Sequence, residues 1–155
     1  MNGRQNRDNK NRKEQVLMGD AAITRKIISY IEDHLDKDLT LEKIAAAQNY
    51  SKFYMVRVFK EHTGITPYQY IRSRRLEKAA EKLVKTDLPV VEISMEAGYG
   101  SQQAFGRVFR CEYGCTPLEY RRAGVFIPRH SRIFMGGKEN GTGVLWKWGK
   151  GRTAA

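Results

Sequence analysis

The segment SKFYMVRVFKEHTGITPYQYIR, residues 51 to 72, returns fifty residues later as SQQAFGRVFRCEYGCTPLEYRR, residues 101 to 122. A single offset aligns the residues that the two copies share. The identical pairs are Ser51/Ser101, Arg57/Arg107, Val58/Val108, Phe59/Phe109, Gly64/Gly114, Thr66/Thr116, Pro67/Pro117, Tyr70/Tyr120 and Arg72/Arg122. Because an arginine of the exposed type stays in register with its apolar neighbours, the repeat indicates two copies of a surface that performs one task.

Each copy follows a short run of helix formers and a break. Residues 41 to 48, LEKIAAAQ, favour a short helix, and Ser51 is a suitable N-cap for the next one. In the second copy, residues 90 to 97, VVEISMEA, precede a glycine turn at residues 98 to 100. This order predicts a helix, a tight turn and a second helix, twice. Ahead of both copies, the spacing of apolar residues from 23 to 35 predicts an amphipathic helix.

A longer helix is predicted between the copies. Gly64 ends the first copy, and Thr66 with Pro67 supplies a capping hydroxyl before a proline at the first helical position. The apolar spacing continues to about Thr86, and roughly twenty residues at ~1.5 Å per residue span about 30 Å. Adjacent major grooves on one side of a duplex lie ~34 Å apart. A connector of this length could hold two helices in successive grooves.

The net charge of +11 is unevenly distributed. Residues 1 to 19 carry +3 and residues 121 to 155 carry +7, which leaves +1 for the residues between them. Basic tails bind polyanions weakly whatever the rest of a chain does. Within the middle part, acidic residues crowd the first helix and basic residues cluster in the repeat and connector, which favours a basic binding face.

The sequence has neither a membrane span nor a secretion signal by the usual criteria. No run of about 18 apolar residues occurs in it. Its N-terminus lacks the apolar core of a signal peptide. We therefore expect no membrane association and a cytoplasmic location.

Residues suited to catalysis or metal binding are scarce. His34, His62 and His130 are scattered, and the sequence contains no HExxH, no serine-centred elbow and no P-loop. Cys111 and Cys115 could hold a metal ion only if two further ligands converged on them. We therefore expect no enzymatic activity, no cofactor, no metal and reduced cysteines, as in a cytosolic compartment.

From about residue 23 to residue 122 the chain resembles the DNA-binding domain of the AraC/XylS family of transcription regulators, in particular its compact MarA/SoxS/Rob-like members. The segments that carry the resemblance are IEDHLDKDLTLEKIA (31 to 45), YSKFYMVRVFKEHTG (50 to 64), YIRSRRL (70 to 76), GYGSQQAFGRVFR (98 to 110) and TPLEYRR (116 to 122). The resemblance implies an all-α fold of about seven helices. Two helix-turn-helix subdomains would be joined by a long connector helix and flanked by flexible basic tails.

The expected domain boundaries follow from this organisation. They are a disordered basic N-terminal arm at 1–20, a first helix-turn-helix subdomain at 21–65, the connector helix at 66–86, a second helix-turn-helix subdomain at 87–123 and a basic tail at 124–155. The tail contains two short apolar runs around a glycine-rich loop. It is open to interpretation as a hairpin, as the stub of a missing effector domain or as disordered sequence.

The resemblance also assigns base contacts to the two recognition helices. The first presents Phe53, Val56 and Arg57, and the second presents Gln102, Gln103 and Arg107. A planar guanidinium can donate two hydrogen bonds to N7 and O6 of guanine, and glutamine amides can pair with adenine edges or with phosphates. Phe53 stands where the family makes apolar contact with bases or sugars. Val56 replaces a glutamine of close relatives and could touch a thymine methyl group.

A second set of residues is expected to contact the DNA backbone. It consists of Ser51, Lys52, Arg72, Arg74, Arg75, Ser101 and Arg110. Amides and capping hydroxyls at a helix start donate to phosphate, and basic side chains neutralise it. Two alternatives stay open: Arg57 and Arg107 serve internal ion pairs, or the basic residues merely coat a solvated surface.

The resemblance implies a sequence-specific regulator, usually an activator, that binds double-stranded DNA as a monomer and acts through RNA polymerase. It would be associated with the bacterial nucleoid when bound. Two other hypotheses stay open. One is a general architectural binder driven by its basic tails, which would show a small specificity ratio. The other is an interaction module that docks on protein. The duplicated cap, arginine and aromatic pattern favours the regulator.

Overall fold

The computed structural model describes residues 2–133, and within them the chain is entirely α-helical. The seven helices are α1 Asn2–Asp33, α2 Leu41–Ala47, α3 Lys52–Thr63, α4 Pro67–Lys85, α5 Val90–Glu96, α6 Gln102–Tyr113 and α7 Pro117–Ala123. The predicted fold class is confirmed. None of these helices has the length and apolar character needed to cross a bilayer.

The described residues form two compact units. Unit 1 comprises residues 2–34, 38–68 and 133, and unit 2 comprises residues 35–37 and 69–132. Helix α4 therefore begins in unit 1 and belongs to unit 2 from residue 69 onward. The domain boundaries expected from the sequence stay a prediction, apart from the two differences at the chain ends described below.

The core of unit 1 is built from one face of each of its first three helices. Its fully buried side chains are Ile27 and Ile31 on α1, Ile44 on α2, and Met55, Val58 and Phe59 on α3. The Ser51 side chain accepts a hydrogen bond from the amide of Tyr54 and begins α3, whereas Gly64, at a φ of 79°, ends it. Only a residue that tolerates positive φ ends a helix in this way without strain.

Unit 2 repeats this arrangement with a more aromatic core. The rings of Phe105, Phe109, Tyr113 and Tyr120 form a continuous cluster. Phe109 stacks on Tyr113 with ring centroids 4.4 Å apart. It meets Tyr120 edge to face with centroids 5.3 Å apart. Ser101 caps α6 as Ser51 caps α3. Met55 and Phe59 in unit 1, and Phe105 and Phe109 in unit 2, are all fully buried.

The N-terminal residues differ from the expected disordered arm, because α1 already begins at Asn2. The stretch before Asp20 has no apolar periodicity, and its described side chains are exposed. It nevertheless contains three Arg, two Lys, two Gln and one Glu, which are good helix formers. The packed part of α1 supplies a nucleus, after which each added residue gains a hydrogen bond without a second nucleation step.

The segment after α7 also differs from the expected hairpin or disordered tail in the part described. Residues 124–132 have no regular secondary structure, yet they pack on unit 2 around the buried carboxylate of Glu77. Glu77 Oε1 accepts hydrogen bonds from the amides of Arg129 (2.8 Å) and His130 (3.1 Å), and its other oxygen pairs with Arg74. The amide of Ile127 donates to the Tyr120 hydroxyl at 3.0 Å. Residues 134–155, which carry most of the proposed hairpin, lie outside the described residues.

Removal of the Glu77 carboxylate should destabilise unit 2. The Glu77 side chain is 6% exposed and forms an ion pair with Arg74, whose side chain is 12% exposed. Glu77→Ala therefore removes the carboxylate partner of a nearly buried guanidinium and the acceptor of two backbone amides. We expect a loss of about 3 kcal/mol in the free energy of unfolding. Urea unfolding followed by far-ultraviolet circular dichroism measures it. The matched control is Glu81→Ala, which removes an exposed pair with Lys85 and should change stability by less than about 1 kcal/mol. Equal losses for both variants would contradict the assigned role of Glu77.

Gly106 should be replaceable by alanine with a gain in stability. It lies inside α6 without a positive φ, and a Cβ built there meets no heavy atom within 4 Å. Gly106→Ala should therefore raise the free energy of unfolding by about 0.5–1 kcal/mol, because alanine has the higher helix propensity. Gly114→Ala is the control and should lower it, since Gly114 has a φ of 75°. Urea midpoints decide the sign, and a loss in the Gly106 variant would refute the prediction.

Candidate nucleic-acid interface

Helix α3 buries one face and leaves the other in water. Met55, Val58 and Phe59 are fully buried, because residues three and four apart share a helical face. Phe53 is 83% exposed, so it has no part in the core of unit 1. Val56 is half-buried beside it, and Arg57 is exposed. The structure thus places all three predicted base-contact residues of this helix at least partly on its accessible surface.

The Arg57 guanidinium has two neighbours within unit 1. Its Nη1 lies 3.5 Å from Glu61 Oε1, one turn further along α3. Its central carbon, Cζ, lies 5.4 Å from the centroid of the Tyr54 ring. The side chain is 60% exposed, and an exposed ion pair one turn apart contributes only a few tenths of a kcal/mol. A phosphate or a base edge can therefore replace Glu61 at little energetic cost.

Lys52, at the start of α3, is already paired with an acidic residue. Its Nζ lies 2.8 Å from Glu42 Oε1 on α2 and 5.8 Å from the centroid of the Phe53 ring. The hydrogen bond from Lys52 holds the pKa of the Glu42 carboxyl below its usual value. Both partners are exposed, so salt and competing anions screen this pair.

Helix α6 presents the equivalent surface in unit 2. Gln102, Gln103 and Arg107 are exposed, whereas Phe105 and Phe109 are fully buried. Ala104 and Gly106 lie between them, are half-buried and carry no polar group. The predicted base-contact residues of α6 thus offer two amides and one guanidinium to solvent.

The start of each recognition helix is prepared to receive an anion. The hydroxyls of Ser51 and Ser101 accept hydrogen bonds from the amides of Tyr54 (3.2 Å) and Ala104 (3.1 Å). As acceptors they keep their own O–H groups for donation. The helix macrodipole adds partial positive charge at both places. Both helices have twelve residues, enough for this effect.

Two arginines expected to contact phosphate are instead engaged inside unit 2. Arg74 is 12% exposed, pairs with Glu77 and donates to the carbonyl of His130 at 2.9 Å. Arg75 donates from Nε to the carbonyl of Leu35 (2.9 Å) and from Nη2 to that of Lys37 (2.7 Å). Residue type and spacing do not reveal which arginines of a helix point toward neighbouring carbonyls. Arg72 and Arg110, from the same predicted set, are exposed.

One contributor to the surface of unit 1 was missed in the sequence. Tyr54 lies on α3 between Phe53 and Met55, and its hydroxyl donates to Asp20 Oδ1 at 2.8 Å. This hydrogen bond raises the pKa of Tyr54 above its ordinary value. The two residues are 34 positions apart in the chain, so no local sequence pattern predicts this contact.

Potential metal ligands do not gather among residues 2–133. No group of three or more His, Cys, Asp or Glu side chains there is arranged to hold an ion. Cys111 is exposed and Cys115 is half-buried, and both are free thiols.

Comparison with known proteins assigns the family. The family model described as a helix-turn-helix domain matches residues 44–123. The regulatory protein SoxS of Salmonella typhimurium is 42% identical to this chain over 104 residues, which make up 67% of this chain and 97% of SoxS. The family model covers α3 to α7 in full and the second half of α2, and so includes both recognition helices.

Solved structures share the fold. The xylose-binding transcription activator XylR is 36% identical with a TM-score of 0.57, and the match covers 63% of this chain and 26% of that one. The DNA-binding domain of AdpA, a global transcriptional factor in complex with a target DNA, is 28% identical with a TM-score of 0.59, and the match covers 64% of this chain and 90% of that one. The duplicated helix-turn-helix exposes an arginine at the same repeat position of each recognition helix, Arg57 in α3 and Arg107 in α6. Together with these matches, it shows that the chain belongs to the AraC-type family of DNA-binding transcription regulators.

Proposed function

We propose that this regulator activates transcription by inserting α3 and α6 into successive major grooves of one asymmetric duplex site. The observation that carries the proposal is the repeated exposure of an arginine, Arg57 or Arg107, opposite a fully buried phenylalanine, Phe59 or Phe109. Both copies of the repeat keep this arginine at the same position. Two equivalent basic surfaces suit double-stranded DNA, whose major groove recurs with each helical turn.

Direct readout is assigned to the exposed side chains of the two helices. Arg57 and Arg107 would each donate two hydrogen bonds to N7 and O6 of a guanine, since their guanidinium groups are planar forks. Phe53 and Val56 would make apolar contacts, with thymine methyl groups as the natural partners. Gln102 and Gln103 would pair with adenine edges. Because the two sets differ, the preferred site is asymmetric.

Backbone contacts are assigned to the residues that remain available. They are Ser51, Lys52, Arg72, Ser101 and Arg110 together with the first-turn amides of α3 and α6. These groups fix the position of the protein on the duplex and carry no sequence information. Arg74 and Arg75 are omitted because their donors serve unit 2.

One chain carries both recognition helices, so a single copy suffices for binding, and we propose that the regulator binds as a monomer without catalysing a reaction. RNA polymerase is the proposed protein partner, and the bacterial cytoplasm and nucleoid are the proposed location. The likeness to a transcription activator favours activation over repression. The nucleoid is proposed because it contains the duplex DNA that such a regulator binds.

Alanine at position 57 should remove discrimination at one base pair. Arg57→Ala should cost about 1–3 kcal/mol on the preferred duplex and much less on a random duplex. Arg72→Ala is the control: it should weaken both duplexes alike and reduce the slope of log affinity against log salt by about one. Fluorescence anisotropy titrations at several salt concentrations measure both effects. Equal losses on the two duplexes for Arg57→Ala would exclude its role in base readout.

Selection of bound duplexes from a random pool should return two sequence blocks about one helical turn apart. The blocks should differ from each other, and Arg107→Ala should blur one block while leaving the block read by Arg57 intact. Sequencing of the selected pool measures this directly. A palindromic motif in which Arg107→Ala blurs both halves would show a dimer on a two-fold site. A pool without any motif would instead show a general nucleic-acid binder.

A further inference from the structure

Asp20 is the point at which α1 enters the fold of unit 1. The residues just before it, Val16, Leu17 and Met18, are each more than half exposed, whereas Asp20 is 8% exposed. Its backbone carbonyl accepts from the Thr24 hydroxyl at 2.9 Å, so it lies in continuous helix. A carboxylate this well buried requires a partner, because its desolvation is unfavourable otherwise.

Tyr54 is that partner, and it lies on the recognition helix. The 2.8 Å hydrogen bond from its hydroxyl to Asp20 Oδ1 joins α3 to α1. A phenol is neutral in the physiological range, and the bond to Asp20 raises the pKa of Tyr54 further, so Tyr54 acts as a neutral donor. The ring is half-buried and also contacts Tyr50, with centroids 5.6 Å apart. The phenol is therefore held at both its hydroxyl and its ring.

The Tyr54 ring also contacts the guanidinium of Arg57, whose central carbon lies 5.4 Å from the ring centroid. A cation held over an aromatic face keeps all of its N–H donors, because the ring accepts no conventional hydrogen bond from them. Glu61, by contrast, occupies a donor of the same guanidinium. The ring can thus restrict the position of Arg57 and leave its fork free for a base.

We propose that Asp20 and Tyr54 are positioning residues for base recognition by Arg57. Asp20 fixes the phenol of Tyr54, and the phenol ring restricts Arg57 to the conformations that read a base. The inference rests on the proposed function, since it concerns the accuracy with which Arg57 discriminates. A side chain restricted before binding loses less conformational entropy on binding.

Unit 2 supplies an internal contrast. The fifty-residue offset places Ala104 at the position of Tyr54, and Cys111 at the position of Glu61. Arg107 therefore has no aromatic ring from the position equivalent to Tyr54. Variants at Asp20 and Tyr54 should therefore reduce discrimination at the base pair read by Arg57 and leave discrimination at the base pair read by Arg107 unchanged.

The test uses the full chain and two measured ratios. One is the affinity for the selected duplex relative to a duplex altered at the base pair of Arg57, and the other is the same ratio for the base pair of Arg107. Tyr54→Leu, which removes ring and hydroxyl, should lower the first ratio by about 2- to 10-fold and leave the second unchanged. Tyr54→Phe keeps the ring but loses the hydrogen bond to Asp20. Its first ratio should lie between that of Tyr54→Leu and that of the native chain.

A thermodynamic cycle tests whether Asp20 acts through Tyr54. Asp20→Ala and Tyr54→Phe each remove the same hydrogen bond, so the double variant should lower the Arg57 ratio no further than either single variant. Asp20→Asn retains an acceptor oxygen and should restore the ratio toward the native value. These four variants, the double variant included, suffice if Tyr54→Leu fails to fold, which circular dichroism detects.

The outcomes separate this inference from the proposed function. If the native chain shows no preference for any base pair, the proposed function fails and this inference fails with it. If Arg57→Ala removes the preference while Tyr54→Leu and Asp20→Ala retain it, only the inference is overturned. Equal weakening on all duplexes, or a change in the Arg107 ratio, also overturns it, because a general loss of stability would act in this way.

Discussion

Burial of Phe59 in unit 1 and of Phe109 in unit 2 determines which face of each recognition helix remains in water. At 3.6 residues per turn, an arginine two positions before a buried phenylalanine lies away from the core. Arg57 and Arg107 are therefore exposed because of the packing of their neighbours. The serine cap and the glycine at positive φ fix the two ends of each helix and complete the constraint. The same local chemistry operates independently in each unit.

Arginine residues have two distinct roles in this chain. Arg74, Arg75 and Arg121 donate to backbone carbonyls or to a buried carboxylate and hold segments of unit 2 in place. Arg57, Arg72, Arg107 and Arg110 present their guanidinium groups to solvent. Net charge alone does not distinguish these groups, since every arginine contributes the same formal charge. The guanidinium charge that the fold leaves exposed is accordingly smaller than the composition indicates.

Unit 2 also extends beyond its last helix. The carboxylate of Glu77 accepts two amide hydrogen bonds from residues 129 and 130, and the half-buried Phe126 packs against the aromatic core. A segment without regular structure is ordered here because its backbone donors find a buried acceptor. The tail is thus in part a structural element of this unit.

Residue type and spacing along the chain were enough to predict the duplication, the helix caps and the helix-turn-helix order, and the residues assigned to the recognition surfaces are exposed or half-buried. These features follow from spacing and residue type within a few turns of helix, where local geometry dominates. Contacts between residues distant in sequence became visible only in the folded chain: Arg74 and Arg75 donate to groups within unit 2, Tyr54 donates to Asp20, and the amides of residues 129 and 130 donate to Glu77. Such contacts depend on how whole helices pack against each other. The residue periodicity of one helix does not predict which atoms of another helix will contact it.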